Sequence, residues 1–363
     1  MQLDSCIDRL PQSNKQRKDR NATPRIRYIG SKARVAEALL NIIGYPKNGR
    51  HRFVDLFCGG GAVSRAAALA GWSTHANDHL LSSVMLTSAQ LLSRHSLDFS
   101  RLGGYDAVIE KLNSSPIKYG PIYREYSPSG FSRSGHMRKY FSTTNAAKID
   151  GVREMIEAMY LSRQIGKVEQ SLLIADLIAA ANSVANIAGT YGCFLSRWTM
   201  PALSEIRLFP RKLPEHLPAM SHSADDAFRF KDQKSDVLYC DPPYTKRQYA
   251  AYYHLVETIA LGDSPDVCGV AGIRAWEHKA SPFCYKRRAL KAFSELLTTK
   301  VAKRIYVSYS SQGHVPLEEL SSTLANFGSI RVHEVKQIRR YTPNEVSRSR
   351  PSTVMEYLIE VLR

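Results

Sequence analysis

Short runs of consecutive apolar residues alternate along this chain with longer stretches of helical period. Val237-Leu238-Tyr239-Cys240 has the length and composition of a buried strand, and two prolines, at 242 and 243, stop it. Arg52-Phe53-Val54-Asp55 opens a second strand, followed by the glycines 59–61 and a helix through residue 70 that ends at Gly71, a suitable C′ glycine. Residues 73–76 and 304–309 read as further strands. Val35, Leu39, Leu40 and Ile43 mark an amphipathic helix, and the same period recurs over 149–162 and 169–186. Helices are also expected at 248–261, 286–300 and 316–326. Two strands near 329–338 and 353–362 close the chain. In the last, Met355, Tyr357, Ile359 and Val361 share one face while Glu356 and Glu360 share the other. Strands alternating with helices predict an α/β protein whose sheet ends in an antiparallel hairpin.

The strands do not follow one another evenly, so the core is expected to be discontinuous. Residues 25–95 and 223–363 form it, and 96–222 are inserted. The first part of the insert interleaves aromatic and basic residues: Tyr119, Tyr123, Arg124, Tyr126, Arg133, Arg138, Lys139 and Tyr140. On mobile backbone such a mixture suits phosphate contact and base stacking. The second part is helical. Residues 262–288 are a further segment expected to face a nucleic acid. Residues 1–24 read as a disordered basic tail, neither a secretion signal nor an anchor.

Charge narrows the class of partner. Among 363 residues, 50 Lys and Arg stand against 33 Asp and Glu, a net charge of +17 that favours a polyanion. The richest apolar stretch, residues 171–189, is interrupted by Asp176, Asn182, Ser183 and Asn186, which argues against a membrane span. Six scattered cysteines with no Cys-x-x-Cys read as reduced thiols of a cytoplasmic protein without a structural metal.

The candidate chemistry lies at the ends of two strands. Asp241-Pro242-Pro243-Tyr244 puts a carboxylate and an aromatic ring on a stiffened loop at a strand's carboxyl end, where open α/β sheets bind ligands. The triple glycine after Asp55 permits close backbone approach to a ligand, and no Lys-Ser/Thr follows to make it a phosphate loop of the Walker kind. Asp78, after the second strand, suits a ribose diol. Tyr28-Ile29-Gly30-Ser31-Lys32 precedes the first helix, with Ser31 as a plausible N-cap and free N–H groups suited to a carboxylate.

Taken in order, Y-I-G-S-K, D-L-F-C-G-G-G and D-P-P-Y resemble the D12 class of DNA adenine N6-methyltransferases, the Dam-like group associated with restriction–modification. Tyr140-Phe141-Ser142, the segment 185–192, Arg247-Gln248-Tyr249, Ser281-Pro282-Phe283-Cys284 and Glu356-Tyr357-Leu358-Ile359 extend the resemblance from about residue 25 to the end. It implies a Rossmann-like, seven-stranded sheet of the S-adenosyl-L-methionine-dependent kind, with double-stranded DNA as substrate and no metal. It further implies methyl-donor contacts from Tyr28, Lys32, Asp55, Phe57, Gly59, Gly61, Asp78, Asp226 and Phe228, with Asp226 facing the adenine amino group and Phe228 flanking its ring. Asp241, Pro242 and Tyr244 would carry the reaction, and Arg133, Arg138, Lys139, Lys246 and Arg247 would contact DNA. A cognate endonuclease acting separately, and a bacterial or phage-encoded protein working at the nucleoid, belong to the same implication. Transfer to cytosine N4, to an RNA base or to a glutamine side chain remains open at this point. So do a catalytically silent DNA-binding relative and a structural subunit.

Overall fold

The computed structural model describes residues 28–46, 51–339 and 353–363. The basic tail 1–24 lies outside the described residues. The main sheet has seven strands, numbered here in chain order. They are β1 (Arg52–Asp55), β2 (Ser73–Asn77), β3 (Met220–Ser223), β4 (Val237–Cys240), β5 (Arg304–Ser310), β6 (Ser329–Arg339) and β7 (Thr353–Leu362). Their spatial order is 3-2-1-4-5-7-6. The first five are parallel, and β7 pairs antiparallel with both β5 and β6. The chain order reverses between β1 and β4, so a crevice opens there at the strands' carboxyl ends.

Helices of eight or more residues are α1 (Ala36–Ile43), α2 (Ala62–Leu69), α3 (Leu81–Ser88), α4 (Tyr105–Asn113), α5 (Thr143–Leu161), α6 (Lys167–Ser183), α7 (His254–Leu261), α8 (Lys286–Thr298) and α9 (Leu317–Ala325). The sheet is covered on both faces. Val54, Leu238, Ile305 and Ile359 pack with Phe293 and Leu296 of α8 and Leu320 and Leu324 of α9. Phe53, Val237, Tyr239, Tyr306 and Leu358 pack with Leu39 and Ile43 of α1 and with Trp72. Truncating a residue such as Leu238 to Ala would cost about 2–5 kcal/mol through lost burial and a cavity. A third cluster joins Ile149, Val152, Leu172 and Leu177 of the insert to Leu255, Val256 and Ile259 of α7, so the insert is built onto the core by continuous apolar contact.

Three expectations change. β3 is a strand of largely exposed, polar sequence that no apolar run announces, and it pairs with β2 from residue 220, three positions ahead of the expected return at 223. The helix expected over 248–261 is broken into Tyr249–Tyr252 and α7, with Tyr253 between them at φ −116°. The Tyr253 hydroxyl accepts from Ile29 N–H at 2.7 Å and its ring stacks on Tyr28, which fixes the break. The segment read as mobile backbone is ordered by the helical turns Pro121–Tyr126 and Phe131–Ser134, and Tyr126 and Tyr140 are fully buried in the insert's core. Their rings serve packing. The glutamate-bearing face of β7, whose burial the alternation alone leaves open, is covered as well: Val354, Glu356 and Leu358 all turn inward, because helices cover this part of the sheet on both sides.

Candidate active site

Asp55 at the end of β1, Asp78 just past β2 and Asp241 just past β4 all line one cleft of about 300 Å³ at the point of strand-order reversal. That volume is at the lower end for small-molecule sites. The parallel register sets this meeting: Asp55 pairs with Ala76 and with Tyr239, so the three strands stop at one level.

The loop after β4 is pinned on both sides. His314 N–H donates to the Tyr244 carbonyl at 3.1 Å, and the Tyr244 ring meets the Tyr309 ring edge-on at 5.5 Å. Lys32 lies in front of it, buried, with its ammonium 3.5 Å from Asp241 Oδ1. It also donates to Tyr244 Oη at 3.2 Å and to Glu356 Oε2 at 2.6 Å. Burial works against that ammonium, but Asp241, the Tyr244 hydroxyl and Glu356 outweigh it and hold its pKa well above the usual lysine range. Asp241 itself is pushed up to about 6 by desolvation. Lys32 pulls it down and Glu356 pushes it up again. Lys32, expected as a donor-binding residue, is thus also tied to the Asp241–Tyr244 loop. Ser31 stands before a single 3-10 turn, Lys32–Arg34, and makes no side-chain cap bond. With α1 starting only at Ala36, the expected helix N-terminus is not formed at Ser31.

The glycine loop follows from its side-chain-free backbone. Gly59 and Gly61 sit at φ +50° and +78°, the left-handed region that favours glycine. A Cβ on Gly59 would lie 2.8 Å from the Tyr28 ring, and one on Gly61 2.7 Å from Gln90. Gly59 N–H and Leu80 N–H donate to the two oxygens of Asp78 at 2.9 and 3.0 Å, tying the loop to β2. Desolvation raises Asp78 to about 6 despite those two bonds. Asp55 is raised to about 7 by burial, although Ser64 donates to it at 2.6 Å. Across the cleft Phe283 stacks on Phe228 and meets Phe57 edge-on, each with ring centroids 5.8 Å apart, and all three line it. Asp226 lines it too and accepts from Phe228 N–H at 3.0 Å.

Of the expected donor contacts, Tyr28, Lys32, Asp55, Phe57, Gly59, Asp78, Asp226 and Phe228 all line the cleft, as do Asp241, Pro242 and Tyr244. Gly61 turns the chain into α2 just behind it. Sequence reasoning did not place Phe283, His278 and Lys279 in the cleft, which they line from within the segment expected to face a nucleic acid. It also missed Tyr249 and Tyr253, whose rings flank Tyr28, and Glu356 behind Lys32.

The basic residues separate into two kinds. Lys246 and Arg247 are exposed, and Arg247 lines the cleft mouth. Arg133 is exposed and pairs with Glu125 at 3.3 Å, while Lys139 donates to the Ser196 carbonyl at 3.1 Å. Arg138 departs from its expected phosphate contact. Only 3% exposed, it donates to Glu125, to the Gly269 carbonyl and to the Val270 carbonyl, holding the turn between the paired segments Val267–Cys268 and Ile273–Arg274. Among the described residues, no group of three or more His, Cys, Asp or Glu is arranged to hold a metal ion, and no helix is long and apolar enough to cross a membrane.

Residues 28–322 match the family described as D12 class N6 adenine-specific DNA methyltransferase. The chain is 30% identical over 343 residues to the type II methyltransferase M.FokI of Planomicrobium okeanokoites, covering 93% of this chain and 52% of that protein. Modification methylase LlaI of Lactococcus lactis subsp. lactis is 30% identical over 342 residues, with 89% and 52% covered. The chain therefore spans about half the length of these two relatives. The type II methyltransferase M.NlaIII of Neisseria lactamica is 30% identical over 339 residues, with 91% of this chain and 97% of that protein covered.

Proposed function

The chain belongs to the D12 class of N6 adenine-specific DNA methyltransferases, and from that premise we propose that it moves a methyl group from S-adenosyl-L-methionine to adenine N6 within a specific sequence of double-stranded DNA. One observation carries the reading: the Asp241–Tyr244 loop, the glycine loop and Asp78 meet in one cleft. The residues fit the methyl donor by their own chemistry. Asp55, Asp78 and Asp241 are all held above the ordinary carboxylate range by burial, an arrangement that a cationic, hydroxyl-bearing ligand relieves. Phe57, Phe283 and Phe228 offer a wall for a flat ring. Tyr28, Lys32, Asp55, Phe57, Gly59, Asp78, Asp226 and Phe228 would hold it, Asp78 at the ribose hydroxyls and Asp226 at the adenine amino group, with Gly61 shaping the loop behind them. Bound there, it supplies a methyl group on positively charged sulfur.

The protein's own task is to make a poor nucleophile attack. The lone pair of adenine N6 is delocalised into the ring. Asp241 and the Pro242 carbonyl would each accept one N–H, turning that lone pair outward, and the double proline fixes the carbonyl's direction. A carboxylate titrating near pH 6 is far too weak a base to ionise the amine. Asp241 therefore orients the amine and stabilises positive charge as it develops on nitrogen, with the proton leaving during or after transfer. Tyr244 gives its ring to a base taken out of the helix, and Lys32 holds that ring by its hydroxyl.

Lys246 and Arg247 at the cleft, and Arg133 and Lys139 on the insert, supply phosphate contacts in this reading. The relatives' names, type II methyltransferase and modification methylase, support a place in a restriction–modification system, with a cognate endonuclease acting separately on unmodified sites in the bacterial cytoplasm. The test is to incubate the protein with methyl-labelled S-adenosyl-L-methionine and duplex DNA, digest to nucleosides and locate the label. N6-methyladenine is expected. Label on cytosine, or in protein, would overturn the assignment.

A further inference from the structure

The last strand to enter the sheet contributes to this site without reaching it. Glu356 lies on β7, 6% exposed and outside the cleft lining, with Ser310 of β5 and Lys336 of β6 as its register neighbours. Its partner is the ammonium of Lys32, which crosses from the opposite end of the sequence to lie 2.6 Å from Glu356 Oε2 and 3.5 Å from Asp241 Oδ1. Two carboxylates and one ammonium leave this trio with a net charge of −1, with Lys32 and Glu356 buried and Asp241 at the cleft wall. The cation stands nearer the carboxylate that has no access to substrate. The third ammonium contact, 3.2 Å to Tyr244 Oη, ties the same lysine to the ring beside Asp241.

We propose that Glu356 is a positioning residue for methyl transfer, drawing Lys32 toward β7 so that Asp241 keeps an open carboxylate for the substrate amine while Lys32 holds Tyr244. The inference rests on the adenine-methyltransferase reading above. Without the Glu356 charge, Lys32 would settle on Asp241 as its one carboxylate partner. Asp241 would then be a poorer acceptor for an N–H and would offset less of the positive charge arriving on nitrogen. A buried pair that merely satisfies Lys32 predicts something different: lost stability with the chemistry intact.

The two are separated by Glu356→Gln, which keeps shape and one acceptor oxygen. Asp241 is faced by Lys32, by Tyr244 of its own loop, by Tyr239 and Cys240 of β4, by Tyr249, by Asp55 of β1 and by Glu356. Removing the Glu356 charge and drawing Lys32 closer both favour the ionised form of Asp241. The acidic limb of the kcat/KM profile should accordingly move to lower pH. At neutral pH kcat should fall roughly 10- to 100-fold, by analogy with loss of the partner that orients a metal-ligating side chain, with KM for both substrates within about twofold. In a Lys32→Met background the same change should cost no further kcat, since Glu356 positions Asp241 and Tyr244 through the lysine, and only its direct charge effect on the acidic limb should remain. Should Glu356→Gln not fold, Glu356→Asp, which retracts the carboxylate, should show the same two effects in smaller measure. An active wild type whose Glu356 variants change only melting temperature, or lose kcat equally in both backgrounds, overturns this inference alone. A wild type that methylates no adenine overturns the functional reading with it.

Discussion

The two ends of β4 each carry a carboxylate, and the protein treats them oppositely. Asp236, just before the strand, is buried and fully matched. Arg52 grips it with two hydrogen bonds of 2.8 and 3.2 Å, and Gln233 N–H donates at 2.8 Å. Asp241, just after the strand, has a lysine 3.5 Å away that lies closer to a second carboxylate. Asp55 and Asp78 stand beside it, both raised by desolvation. The same sheet therefore completes its charge pairing at the amino end and leaves it incomplete at the carboxyl end. A charge left unmatched in a cleft is a place where a ligand's own charge completes the structure, whereas Asp236 has no such deficit.

The largest expected effect breaks this contrast directly. Asp241→Ala should retain binding of S-adenosyl-L-methionine and DNA yet lose about 10²- to 10⁴-fold in turnover, the range for a group acting on the reacting atoms. Asp241→Asn, keeping an acceptor oxygen, should lose less, and Tyr244→Phe should be milder than Tyr244→Ala because stacking survives. Asp236→Ala should do the reverse: it leaves Arg52 and Gln233 short of a partner and costs about 1–3 kcal/mol of stability, with kcat of the folded enzyme unchanged. Steady-state kinetics and thermal melts on the same preparations check both halves. Next in size is Asp78→Ala, expected to weaken binding of S-adenosyl-L-methionine about ten- to a hundred-fold by calorimetry, through a lost charge-assisted ribose contact of about 1.5–3 kcal/mol. Unchanged affinity in a folded variant would remove Asp78 from the ribose.

The raised carboxylates also sharpen the contrast through pH. Asp241 titrates near 6 in the fold against about 3.9 in an unfolded chain. Between those values the folded state holds a proton that the unfolded state does not, so this group's contribution to stability falls as pH rises from about 4 to about 6. That is the reverse of a well-paired carboxylate. The melting temperature of Asp241→Asn relative to wild type should therefore climb over that window, and kcat/KM should fall about tenfold per unit as pH drops below about 6. A difference in melting that is flat with pH would mean that the burial of Asp241 carries no charge penalty.

The amount that could be read from sequence follows the same division. The β1 and β4 runs, the glycine loop and the proline stop are local, and local chemistry dictates them. The strands at 52–55 and 237–240 and the loops after them match the reading because a buried strand ended by glycine or proline leaves the chain few alternatives. Glu356 was seen only as the polar side of an alternating strand. Its burial depends on α1 covering that face of the sheet, a fact of topology and not of period. β3 carries no apolar run at all and is a strand because Asn77 and its neighbours supply an edge to pair with. The segment around Arg138 has a composition that two environments share, an exposed basic surface and a buried hydrogen-bonded clamp. Only the turn at Gly269 and Val270, more than a hundred residues later, decides between them.

That decision yields the smallest effect, one that carries the contrast between matched and unmatched charge over to the basic residues. Arg247 is exposed at the cleft mouth, like Asp241 open to a partner, whereas Arg138 is matched inside the protein as Asp236 is. Each phosphate contact removed should lower the slope of log K against log salt by about one. Arg247→Ala and Lys246→Ala should each do so, with DNA affinity falling a few-fold at moderate salt and melting unchanged. Arg138→Ala should leave the slope alone. It strips the Gly269 and Val270 carbonyls and Glu125 of their donor, so its cost appears in melting and in faster amide exchange across residues 267–274. Binding isotherms over a salt series, with exchange measured on the same variants, would separate the two kinds of arginine. If Arg138→Ala lowered the slope by one and left exchange untouched, its place would be on the DNA and not inside the protein.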